Sequence, residues 1–144
     1  MEIERKFRLL KLPPRRILGE GREISQGYIF NNPGELRIRD DATAYWLTIK
    51  NDGHLSRDEY ETKIPKWAFE LLQEHTPKMI HKTRYKVGNI EVDKYRGDLE
   101  GLIMLECEFV SKEEAERFLL PAWAAGAIEV TYDPQYKNKN LGVK

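Results

Sequence analysis

The residues able to do chemistry in this chain stand two apart. Glu2, Glu4, Lys6 and Arg8 alternate with Ile3, Phe7 and Leu9, and Glu35, Arg37 and Arg39 alternate with Leu36 and Ile38. Lys50 falls on the opposite side from Tyr45, Leu47 and Ile49. Arg57, Glu59, Glu61 and Lys63 form a further row, then Lys82, Arg84 and Lys86, and finally Glu106 and Glu108 between Ile103, Leu105, Cys107 and Phe109. Residues i, i+2 and i+4 of a strand share a face, so each segment presents one charged and one apolar side. Paired arginines bind phosphate oxygens bidentately, and lysines act as point charges. Carboxylates two apart offer hard oxygen ligands suited to Mg²⁺ or Mn²⁺. The chemistry that fits is metal-assisted phosphoryl transfer on a polyphosphate.

A simpler reading is that each polar face is solvated, as on one side of many antiparallel sheets. Two features count against it. The polar positions are almost entirely charged, and several rows carry one sign: Arg37/Arg39 and Lys82/Arg84/Lys86 are cationic, Glu2/Glu4 and Glu106/Glu108 anionic. Like charges on one face cost stability unless the opposite sign stands across from them. A barrel with its charged faces inward supplies those opposites. Burying so many charges without partners is prohibitive, so such an interior must be hydrated and hold an anion together with metal. A heat-tolerant domain with surface ion pairs is the competing reading, and it predicts no phosphate binding.

The elements that must position these rows are mostly strands. Period-2 alternation predicts strands over 2–10, 22–30, 34–40, 43–51, 55–64, 78–87, 90–96 and 102–110. Turn signals at Asn31-Asn32-Pro33-Gly34, Asn51-Asp52-Gly53, Gly88-Asn89 and Gly97-Asp98 separate them. Helices are expected over 66–74, after Pro65, and over 111–119, where Ser111 and Glu114 make a capping box. A short strand-like piece follows Ile128. The expected fold is α+β, mostly antiparallel β: one domain over 1–144, with eight strands closed into a barrel and short helices packed outside.

Composition narrows the function classes. The 144 residues hold 24 Lys+Arg and 24 Asp+Glu, a formal net charge of zero, which counts against a nonspecific nucleic-acid binder. One cysteine, Cys107, makes no internal disulfide, so a reducing cytoplasm is expected. The N-terminus is charged from Glu2 onward, and no signal peptide or membrane-spanning segment is expected. His54, His75 and His81 have no metal-ligand spacing. The apolar outer faces offer a surface for a homodimer.

Glu2-Ile3-Glu4-Arg5-Lys6 resembles the E-x-E-x-K signature of the CYTH domain, the triphosphate tunnel metalloenzyme family. The likeness continues through Gln26-Gly27-Tyr28, Arg37/Arg39, Lys50, Glu59/Glu61, Lys82-x-Arg84, Asp93, Glu106-x-Glu108 and the tail Glu129-Val130-Thr131…Tyr136-Lys137-Asn138. One departure is Gln135, where the family's tail often carries arginine. The resemblance implies an eight-stranded tunnel that binds a triphosphate with Mg²⁺ or Mn²⁺ and cleaves a phosphoanhydride bond. Under it, Glu2, Glu4 and Glu108 are metal ligands with Glu106 beside them. Lys6, Arg37, Arg39, Lys50, Lys82, Arg84 and Lys86 grip the substrate, with Lys82 also stabilising transition-state charge. Glu59 or Glu61 orients or deprotonates water, and Tyr28 reaches a lumen lysine or packs. Asp93 faces away from Val92 and Lys94, and either ligates metal, pairs with a cation or is exposed. Inorganic tripolyphosphate is the expected substrate, because the charged interior has no aromatic pocket for a base. The alternatives are a nucleoside or thiamine triphosphatase, a class IV-type adenylate cyclase, and a noncatalytic polyphosphate-binding module.

Overall fold

Alternating side chains produce nine strands among the residues that the computed structural model describes, 3–52 and 58–141. Glu2, His54 and Arg57 lie outside the described residues. Every recorded strand pairing is antiparallel. The chain packs as two compact units, one of residues 1–22 and 82–144, the other of residues 23–81. The boundaries fall within β2 (Arg22–Phe30) and β6 (Met79–Val87).

In the first unit, β1 (Ile3–Arg8), β7 (Ile90–Tyr95), β8 (Ile103–Phe109) and β9 (Ile128–Glu129) join the larger part of β6 in the order β6-β7-β8-β1-β9. One sheet face is apolar. Phe7, Leu9, Leu18, Ile90, Val92, Ile103, Leu105 and Cys107 are buried there, with Phe109, Phe118 and Trp123 packed against them. Cys107 occupies this core, as its alternation with Glu106 and Glu108 requires. Helix α3 (Lys112–Arg117) starts where its cap predicts. Ser111 Oγ accepts from the Glu114 N–H at 3.1 Å, and the Glu114 carboxylate accepts from the Val110 N–H at 3.1 Å. A ninth strand, β9, comes from the tail.

The one-turn helix α1 (Arg15–Leu18) is not evident from periodicity, because four residues are too few to display it. It starts after Pro14, ends at Gly19 with φ +70°, and delivers Leu18 to the core.

In the second unit the strands run β5-β4-β3-β2, with β3 (Glu35–Asp40), β4 (Tyr45–Lys50) and β5 (Glu59–Ile64). Helix α2 (Lys66–Glu74) lies on β3 and β4 through Phe69, whose ring is 5.0 Å from that of Tyr45. The β3–β4 turn is tied by Asp41. Its Oδ1 accepts from the Thr43 N–H and hydroxyl and from the Ala44 N–H, and its Oδ2 accepts from Trp46 Nε1. Burial alone would raise the Asp41 pKa, but these bonds hold it down to about 2. Gly27 faces the segment after α2, where a Cβ would stand 2.8 Å from the Lys78 carbonyl oxygen. A side chain at 27 would collide with that backbone, and strand alternation turns its neighbours Gln26 and Tyr28 to the other face of β2.

Candidate active site

The polar face of the first unit is a lattice set by register. Lys82 stands opposite Tyr95, Arg84 opposite Asp93, and Lys86 opposite Glu91. Glu91 in turn faces Glu106, Glu106 faces Lys6, and Glu108 faces Glu4. Carboxylate therefore meets carboxylate twice, at Glu91/Glu106 and at Glu4/Glu108. Directly opposed like charges destabilise a sheet unless a cation joins them. Lys6 supplies part of that cation, with Nζ 3.8 Å from both Glu4 Oε1 and Glu106 Oε1. Glu4, Lys86, Glu91, Glu106 and Glu108 line a cleft of about 590 Å³ together with Ile3, Asn89, Phe109 and Val110.

Further along the face, Asp93 is only 2% exposed and gathers two cations. Arg84 forks onto both its oxygens at 2.8 and 2.9 Å, and Lys82 Nζ, fully buried, lies 3.0 Å from Oδ2. Burial opposes ionisation of Asp93, but the Lys82 charge and the Arg84 fork hold its carboxyl well below the usual carboxylate range. Arg84 also reaches Glu91 at 3.3 Å, and this carboxylate company keeps its guanidinium charged despite burial. Lys82 sits 5.4 Å from the Tyr95 ring centre, and the Tyr95 hydroxyl donates to Asn138 Oδ1 at 2.8 Å. Arg8 donates to the Tyr136 hydroxyl at 3.3 Å, so the tail lies against this end of the face. Of the alternatives open for Asp93, the geometry is that of a buried cation partner.

The second unit builds its own polar face. Gln26 stands opposite Arg39, Tyr28 opposite Arg37, Arg37 opposite Thr48, Thr48 opposite Glu61, and Lys50 opposite both Glu35 and Glu59. Arg39 donates twice to Gln26 Oε1, at 3.0 and 2.8 Å. Arg37 donates to Thr48 Oγ1 at 3.3 Å, and the Thr48 hydroxyl donates to Glu61 Oε2 at 2.7 Å. Lys50 Nζ is 3.9 Å from Glu59 Oε1. Burial pushes the Tyr28 phenol pKa up against the opposing charge of Arg37, so its hydroxyl keeps its proton at neutral pH. Trp46 stacks beneath Lys63 at 5.4 Å and serves the Asp41 turn.

Glu4, Lys6, Lys82, Arg84, Lys86, Asp93, Glu106 and Glu108 thus share the first unit's face. Tyr28, Arg37, Arg39, Lys50, Glu59 and Glu61 share the second's. Two participants, Glu91 and Thr48, were not anticipated, and a third, Gln26, entered only through the family likeness, with no role assigned. Glu91 stands two residues before Asp93, a spacing that places it on the same face. Gln26 and Thr48 are neutral and carry no charge signal, although both are buried to 1% exposure or less.

The carboxylates of the first unit suit a hard divalent cation. Among the described residues no three acidic, histidine or cysteine side chains are already gathered as a metal cage. Mg²⁺ does not require one, because it keeps several waters and shares substrate phosphates with one or two carboxylates. The opposed pairs Glu4/Glu108 and Glu91/Glu106 supply those oxygens.

An antiparallel sheet with one face of ordered acidic and basic rows defines the class of protein. Residues 1–118 match the CYTH domain model, and the chain belongs to that family. The inorganic triphosphatase of Nitrosomonas europaea is 38% identical over 99% of this chain and 97% of its own length. The inorganic triphosphatase of Acetivibrio thermocellus is 37% identical over 97% of this chain and 92% of its own. A crystal structure of an inorganic triphosphatase superposes with a TM-score of 0.75 at 36% identity, covering 100% of this chain and 95% of that one. Among the described residues, no helix is long and apolar enough to cross a membrane.

Proposed function

We propose that this chain is an inorganic triphosphatase, hydrolysing tripolyphosphate to pyrophosphate and phosphate with a divalent cation, Mg²⁺ or Mn²⁺. The observation that carries the proposal is the facing of carboxylate by carboxylate, Glu4 by Glu108 and Glu91 by Glu106, beside the cations Lys6 and Arg84. A polyanion binder has no use for four carboxylates without metal to neutralise them. The full-length likeness to two inorganic triphosphatases supports the choice of substrate.

Glu4, Glu91, Glu106 and Glu108, with Glu2 from the sequence motif, would hold the metal, which when bound neutralises phosphate charge and polarises the phosphorus centre. Asp93 acts through Lys82 and Arg84, fixing their charged ends. Lys6, Lys82, Arg84 and Lys86 of the first unit, and Arg37, Arg39 and Lys50 of the second, bind phosphate oxygens and stabilise charge on the departing pyrophosphate. Tyr28 adds a neutral hydroxyl beside Arg37. Glu61 is the better placed of the two candidates for water. Thr48 and Arg37 both address its Oε2, so Oε1 is left to accept the water's hydrogen bond. As the water oxygen bonds to the terminal phosphorus, the bond to the pyrophosphate oxygen breaks and the water's proton passes to the carboxylate. Glu59 is held by Lys50 and keeps that lysine in place. The eight-stranded closed tunnel and the single domain over 1–144 that the family resemblance implies belong to this proposal.

The test is phosphate release from tripolyphosphate with Mg²⁺, compared with ATP, GTP and thiamine triphosphate. Release from tripolyphosphate that stops on substituting Glu4→Gln, with the melting temperature unchanged, is the expected result. Cyclic AMP from ATP, or tripolyphosphate binding without turnover, would overturn it.

A further inference from the structure

The Gln26 side chain is completely buried on the polar face of β2, and its two ends have different fates. Arg39 approaches one end with Nε and Nη2, both donors. A guanidinium only donates, so the atom it addresses must be the amide oxygen, and the chemistry fixes which way the carboxamide is turned. The NH₂ group therefore points away from Arg39. Among the described residues Nε2 has no hydrogen-bond partner. On the same face, one register step along, Arg37 Nε is also buried without a partner. Among the described residues this face thus holds two orphaned donors and no orphaned acceptor, a pairing complementary to an oxyanion, which would repay the desolvation cost of each unmet donor.

We propose that Gln26 is a substrate-contacting residue whose NH₂ group donates to a nonbridging phosphate oxygen of tripolyphosphate, beside the Arg37 guanidinium. The proposal rests on the triphosphatase reading and adds to it a neutral donor that charge patterning does not reveal. The neutrality has a use. A carboxylate here would pair with Arg39 equally well but would repel the substrate, whereas the carboxamide anchors the arginine through oxygen and binds the anion through nitrogen. Gly27, between Gln26 and Tyr28, leaves the opposite face of β2 free for the close approach of Thr76, Lys78 and Met79.

Two substitutions in the full chain test it, each read by melting temperature, by the KM for tripolyphosphate with Mg²⁺, and by calorimetric titration of tripolyphosphate into chelator-treated protein. Gln26→Glu keeps an acceptor for Arg39 but loses the donor. Gln26→Met loses both without adding charge, with Gln26→Leu in its place should the Met chain not fold. Weaker tripolyphosphate binding and a KM raised about tenfold or more in both variants is the expected result. If only the neutral variant is impaired, Gln26 is a prop for Arg39. If only Gln26→Glu is impaired, the effect is repulsion, and if neither is, the NH₂ group serves a structural water. Each of those three outcomes overturns the proposal. A wild-type chain that neither binds nor cleaves tripolyphosphate overturns the triphosphatase reading and takes this inference with it.

Discussion

Replacing Asp93 by Asn removes the anion that gathers Lys82 and Arg84 while leaving the shape of the side chain unchanged. Arg84 retains Glu91 at 3.3 Å, but Lys82, fully buried, loses its carboxylate at 3.0 Å. Breaking a buried ion pair from one side costs about 3–5 kcal/mol. Unfolding entropy of about 2.1 cal/mol/K per residue gives a chain of this length about 0.3 kcal/mol/K, so each kcal/mol moves Tm by about 3 °C. Asp93→Asn should therefore melt about 10–15 °C below wild type at pH 7, measured by circular dichroism without phosphate. The pH dependence has a definite sign. The folded Asp93 carboxyl titrates below its unfolded value, so its contribution is complete above the ordinary aspartate pKa of about 3.9. It is lost as pH falls through the lower folded value. The gap between wild type and variant should accordingly close in acid. A Tm loss under about 3 °C at pH 7, or a gap that stays constant well below pH 4, would refute the assignment of Asp93 as the anchor of the two cations.

Three further outcomes are expected. Arg5→Lys keeps the charge but loses the fork onto Glu129 and the bonds to the Ala115 and Phe118 carbonyls. It should lower Tm by about 3–6 °C, from about 1–2 kcal/mol of lost hydrogen bonding, and an unchanged melt would show that the tail is held by other contacts. Ser111→Ala removes the side-chain cap of α3 and should cost about 1 kcal/mol, seen as a Tm lower by about 3 °C; no change would mean that Glu114 alone holds the helix start. Chelation by EDTA should abolish phosphate release while leaving the far-ultraviolet spectrum intact, and activity that survives chelation would remove the metal from the proposed chemistry.

The shared face of the charged rows was legible from alternation alone. β1, β3 and β8 keep the two-residue period through their described length, so Glu4/Lys6, Arg37/Arg39 and Glu106/Glu108 fall together, and Cys107 falls into the core. The start of α3 was equally clear, because a cap is a matter of four neighbouring residues. Arg5 was harder. It stands on the apolar face of β1, over the Phe7 and Phe118 rings, where alternation alone would place an apolar residue. Its partner Glu129 lies 124 positions away, and no local pattern joins them.

What the sequence determined by itself is therefore local: which residues extend, where α2 and α3 begin, and which side of a strand carries charge, since these depend on backbone periodicity and near neighbours. The tertiary structure decided which charge meets which. Antiparallel register set Glu4 against Glu108 and Glu91 against Glu106, closed Asp93 onto two cations, and buried Gln26 with its amide oxygen on Arg39. The Gly88-Asn89 turn sets the β6–β7 register locally, but between β1 and β8, which no turn joins, register depends on matching the apolar faces of both strands, and neither segment contains it alone.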